Sequence, residues 1–92
     1  MKKVLVVDNS ATVLQFMKNL LTGKGYEVTT AIDGLSALKI LDSFSPDIIF
    51  IDLVMPNITG DKLCRIIRGM PRFRETFLVI LSAAAVEQGL DF

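Results

Sequence analysis

Apolar residues fall along this chain in two rhythms. Val4 to Val7 is an unbroken apolar run closed by Asp8, the pattern of a strand buried on both faces. Val13, Phe16, Met17, Leu20 and Leu21 then recur at helical spacing and predict an amphipathic helix, capped by Asn9 or Ser10 and closed by Gly23 and Gly25. Tyr26 to Ala31 predicts a second strand, less buried because Glu27, Thr29 and Thr30 are polar. Asp33-Gly34 reads as a turn. Ala37, Leu38 and Leu41 form the stripe of a second helix that Ser45-Pro46 ends. Ile48 to Ile51 predicts a third strand, and Leu63, Ile66 and Ile67 the inner face of a third helix stopped by Gly69 and Pro71. Phe77 to Leu81 predicts a fourth strand.

This order, βαβαβαβ with strands apolar throughout, implies one α/β domain over residues 1–92. Parallel strands need long crossovers, and the crossover helices cover both faces of a doubly wound parallel sheet. In such sheets ligands bind beyond the carboxyl ends of the strands. The residues there are Asp8 and Asn9 after the first strand, Asp52 after the third, and Ser82 and Ala83 after the fourth. If those strands are neighbours, two carboxylates share one crevice with an amide and a hydroxyl. Like charges that close raise each other's pKa unless a cation neutralises them, and Mg2+ suits a site of few carboxylates, waters and a phosphate oxygen.

Charge and composition narrow the functions. Ten basic and ten acidic side chains cancel, so no broad positive field exists to hold nucleic acid or an anionic membrane. Histidine is absent and Cys64 is the single cysteine, which rules out an internal disulfide and a Cys/His metal cluster. A cytoplasmic location is the expectation, with no membrane contact and no direct nucleic-acid binding. Asp33 and Asp47 read as turn residues, Asp61 as a charge suited to the first turn of the third helix, and Arg65, Arg68, Arg72 and Arg74 as a solvated face.

VLVVDNSATVLQFMKNLL, AIDGLSALKIL, PDIIFIDLVMPNITG and FLVILSA together resemble the receiver domain of two-component response regulators. The resemblance implies a flavodoxin-like fold with strands in the order 2-1-3-4, truncated before the family's fifth strand and last helix. It implies that Asp52 accepts a phosphoryl group from a sensor histidine kinase or a phosphotransfer protein, making this a signalling phosphoacceptor rather than an ordinary enzyme. It further implies that Asp8, Asn9, Asp52 and the Val54 carbonyl hold Mg2+, that Ser82 and Ala83 contact the phosphoryl group, and that Met55, Pro56 and Gly60 form the turn presenting the acceptor.

The chain departs from the family pattern where Asn9 replaces a usual acid, which predicts weaker Mg2+ binding, and where no lysine follows Lys62. Both departures keep open an alternative, a degenerate or truncated receiver acting as a phosphorylation-independent binding or dimerisation module. A haloacid-dehalogenase reading needs an aspartate where Val54 stands, and neither nucleotide-binding glycine motif occurs. With no charge, proline or glycine in Phe77 to Leu81, the fourth strand is expected to self-associate along its edge, with residues 83–92 covering the seam.

Overall fold

The apolar runs become four parallel strands in the computed structural model, which describes residues 1–81. Strand β1 (Lys3–Val7) leads to helix α1 (Ala11–Gly23), β2 (Glu27–Ala31), α2 (Gly34–Ile40), β3 (Ile48–Asp52), α3 (Gly60–Arg68), a 3-10 turn (Pro71–Phe73) and β4 (Phe77–Leu81). The sheet order is β2-β1-β3-β4, as the resemblance implied. Its reversal beside β1 places the carboxyl ends of β1 and β3 next to each other, with Val7 paired to Ala31 on one side and Ile51 on the other.

Alternation along the strands divides the core in two. Leu5, Val7, Ile49 and Ile51 point to the face covered by α2, α3 and the 3-10 turn, where they meet Ala37, Leu41, Leu63, Ile67 and Phe73. Val4 and Val6 point the other way and meet Leu14 of α1, with Met17, Leu21 and Phe50 partly buried around them. Polar β2 is less buried than β1, as its composition predicts.

Helix faces departed from the predicted stripes. In α1 the buried residue is Leu14, which the predicted stripe omits, whereas Phe16 is 64% exposed and Leu20 is also exposed. The apolar arc runs farther round this helix than the sheet covers. Leu63 and Ile67 are buried as predicted in α3, but Ile66 faces outward. Helix α2 stops at Ile40, before Ser45-Pro46: beyond it the Asp42 and Ser43 N–H groups donate to the Lys39 and Ile40 carbonyls three residues back, a 3-10-type tightening, while the Leu41 side chain enters the core.

The predicted arginine face also splits. Arg65 pairs with Asp61 at the surface, but Arg68 donates to the carbonyls of Phe73 and Arg74, and Arg72 stacks on Phe73 and donates to Ser45 Oγ at 2.8 Å. These two arginines tie α3 and the 3-10 turn to the loop before β3. Asp47 is likewise more than a turn residue, since its carboxylate accepts the Lys3 N–H at 2.8 Å and its carbonyl accepts the Phe77 N–H.

Candidate functional site

Asp8 stands one residue past β1, and its backbone N–H donates to the Ala31 carbonyl at 3.1 Å, continuing the sheet. Its side chain accepts the Ser10 N–H at 2.8 Å, a bond that bends the chain toward α1. Ser10, not Asn9, caps that helix, its Oγ accepting the Val13 N–H, while Asn9 is exposed between them. Asp8 is only 7% exposed. Burial pushes its carboxyl above the usual range; the Ser10 N–H works against that shift and the charge of Asp52 adds to it.

Asp52 ends β3, directly after Ile51, the partner of Val7. Neighbouring strands lie about 4.7–4.9 Å apart, so the two carboxylates leave the sheet side by side. Asp52 is partly buried and accepts the Val54 N–H at 3.3 Å. Leu53 donates to the Leu81 carbonyl at 3.0 Å, which fixes the start of the loop against the end of β4.

The loop from Leu53 to Thr59 is held at both ends. Met55 is buried in the α2/α3 core, and Gly60 donates to the Leu53 carbonyl at 2.9 Å. A Cβ on Gly60 would run into the Asp52 carbonyl oxygen and sit 2.7 Å from the Leu53 Cα, so only glycine allows α3 to start this close to the acceptor strand. Pro56 is exposed, and Asn57 takes φ of +69°, a left-handed bend that asparagine tolerates. Val54 is 75% exposed, so its side chain closes nothing over Asp52.

The structure therefore brings together Asp8 and Asp52 and sets Gly60 against the Asp52 carbonyl, buries Met55 in the core, and leaves Pro56, Asn9 and Val54 exposed. Ser82 and Ala83 lie outside the described residues, as does the expected cover from residues 83–92. Asp33 differs from its prediction: it caps α2, with Oδ1 accepting the Ser36 N–H at 2.8 Å, which holds its carboxyl below the usual range. The signal was an aspartate four residues ahead of a helix-period stripe.

Two carboxylates, one of them buried, match the donor set of Mg2+, which takes one or two carboxylates and keeps waters. Among the described residues the one ion pair is Arg65–Asp61, and no group of three His, Cys, Asp or Glu side chains gathers. No protein cation there offsets the repulsion that Asp8 feels, and a hard cation would.

Comparison with known proteins agrees with this fold. The family model described as "Response regulator receiver domain" matches residues 4–90. Protein PilG of Pseudomonas aeruginosa is 38% identical over 81 residues, covering 88% of this chain and 60% of that protein. The chain thus spans less than two thirds of that relative. The chemotaxis response regulator CheY4 of Vibrio cholerae superposes with a TM-score of 0.86 at 32% identity, covering 97% of this chain and 76% of that one. A chain in the crystal structure of histidine kinase ThkA in complex with response regulator protein TrrA gives 0.82 at 34% identity, covering 90% and 70%.

Proposed function

The chain belongs to the response regulator receiver domain family, and from that premise we propose that Asp52 accepts a phosphoryl group from a phosphohistidine. The observation carrying this reading is the juxtaposition of Asp8 and Asp52 at adjacent strand ends, close enough for the charge of Asp52 to act on the Asp8 carboxyl.

An Asp52 carboxylate oxygen attacks phosphorus; the O–P bond forms as the P–N bond breaks, and the electron pair leaves with the imidazole nitrogen. The carboxylate carries no proton to lose, so no general base is needed. Asp8, Asn9, Asp52 and the Val54 carbonyl are the residues that would hold Mg2+. When bound, Mg2+ supplies the positive charge that lets a carboxylate approach an anionic phosphoryl group. Neutral Asn9 lowers the ligand charge, so affinity is weaker than with an acid there. Ser82 and Ala83 complete the reading as contacts to the phosphoryl oxygens. The domain acts on itself, carrying the mark until water removes it, rather than turning over a substrate.

The phosphodonor is a sensor histidine kinase, the kind of partner named with the TrrA response regulator, or a phosphotransfer protein. Phe16 and Leu20 offer it an exposed apolar surface on α1, the helix that starts at the site. A cytoplasmic location belongs to the same reading. Among the described residues no helix is long and apolar enough to cross a membrane. Self-association along β4 is a further part of it, supported by Phe77 at 72% exposure and by the exposure of Val79 and Ile80 on the two faces of the strand. Sedimentation of the full chain should show a dimer dispersed by Val79→Lys, and a monomer at high concentration would rule the pairing out.

The test is label transfer from a radiolabelled, autophosphorylated histidine kinase in Mg2+. Wild type and Asp47→Ala should take up label and Asp52→Ala should not. Equal labelling of Asp52→Ala would overturn the assignment.

A further inference from the structure

Gly34 opens α2, where helix propensity alone would favour alanine. It is buried, and a Cβ there would lie 2.9 Å from the Cβ of Ile58, 3.2 Å from its Cγ2 and 3.3 Å from its Cδ1. Ile58 belongs to the acceptor loop. The left-handed Asn57 turns the chain just before it, and its N–H donates back to the Pro56 carbonyl at 2.9 Å. Asp33, Gly34 and Leu35 face Pro56, Asn57 and Ile58 across a cleft of about 210 Å³, so the first turn of α2 and the acceptor loop meet along a short seam.

Near its ends the loop is anchored by Met55 in the core and Gly60 against Leu53, and Ile58 packs against the edge of the same core. Its middle has Ile58 on Gly34. We propose that Gly34 is a positioning residue for the acceptor site: the missing side chain admits Ile58, and that contact sets where the loop after Asp52 carries the Val54 carbonyl. An added methyl meets the branched Cβ of Ile58 rather than the free end of a flexible chain, so the first turn of α2 and the loop must separate. This inference rests on the reading of Asp8, Asp52 and Val54 as the Mg2+ site.

Mg2+ titration of the full chain, by calorimetry and by backbone amide shifts of residues 52–60, tests it. Gly34→Ala should weaken Mg2+ binding about tenfold, the range seen when groups that orient metal ligands are altered, and should shift the loop amides. Gly23→Ala is the control, because a Cβ there meets nothing within 4 Å; it should change neither. Ile58→Ala, which attacks the contact from the other side, should shift the same amides, and combined with Gly34→Ala it should recover part of the lost affinity. Wild-type affinity in Gly34→Ala, or equal losses with and without Ile58→Ala, would overturn the proposal. If Gly34→Ala does not fold, Ile58→Ala alone decides, since unchanged affinity and unchanged loop amides would refute it. Failure of the underlying reading looks different: Asp52→Ala would then bind Mg2+ as well as wild type, and the loop amides would still report on the Gly34 contact.

Discussion

Among the described residues the two faces of the sheet are built unequally. On one, α2, α3 and the 3-10 turn close over β1 and β3, burying Leu63, Ile67 and Phe73 almost completely. On the other, among the described residues, α1 alone packs against Val4 and Val6, and over β3 and β4 Phe50 is only partly buried while Phe77 and Val79 are exposed. The acceptor loop is rooted on the crowded face through Met55 and through Gly60 at the start of α3. Stability and site geometry are therefore coupled on that face. The α1 face contributes Ser10 and the Asp8 turn but little of the packing that fixes Asp52.

The largest effect expected from this asymmetry is a contrast between two identical substitutions. Leu63→Ala should cost about 3–5 kcal/mol and Leu14→Ala about 2–3 kcal/mol, because Leu14 keeps some exposure and a cavity there is relieved by solvent and neighbours more easily than one at fully buried Leu63. Urea denaturation measures both. The Leu63 variant should also lose Mg2+ affinity, whereas Leu14→Ala should keep it. Equal losses on the two faces would break the comparison.

Next comes Asp8→Asn. Burial and the charge of Asp52 raise the Asp8 carboxyl in the folded state, so the folded chain holds that proton more tightly than the unfolded chain. The ionised group therefore costs stability: the cost is absent below the unfolded value, grows as pH rises toward the folded value and persists above it. Asp8→Asn should raise the thermal midpoint at neutral pH while weakening Mg2+ binding. A lowered midpoint would mean that the Ser10 N–H bond outweighs burial.

A smaller loss, about 1 kcal/mol, is expected for Ser10→Ala, which removes the α1 cap but leaves the Ser10 N–H on Asp8. Its helix lies on the open face, so the midpoint should fall with the Mg2+ affinity intact. The smallest effect concerns Asp33, whose carboxyl is lowered by the Ser36 N–H. Stability from this cap is present above the unfolded value of about 3.9 and lost as pH falls through the lower folded value. Asp33→Asn should flatten that acid limb of the pH–stability curve, and an unchanged limb would remove Asp33 as its source.

The strands were legible because runs such as Val4–Val7 and Ile48–Ile51 are apolar in every position, which only a doubly covered sheet requires. The pairing of Asp8 with Asp52 followed from strand ends. The face of α1 was not legible, since its apolar arc exceeds the area the sheet offers and periodicity cannot say which part is used. Capping by Asp33 was misread because Asp-Gly serves turns and helix starts alike. The seam between Gly34 and Ile58 left almost no trace, because its signal is a missing side chain facing a distant residue.

The central claim is that Asp52 is the phosphoacceptor. Its most direct test treats the full chain with acetyl phosphate and Mg2+, reduces any acyl phosphate with borohydride and maps the product by peptide mass. Homoserine is expected at position 52 of the wild-type chain, with no modified residue in Asp52→Ala. Homoserine at Asp8 or another aspartate, or an unmodified Asp52 in a chain that demonstrably binds Mg2+, would contradict it.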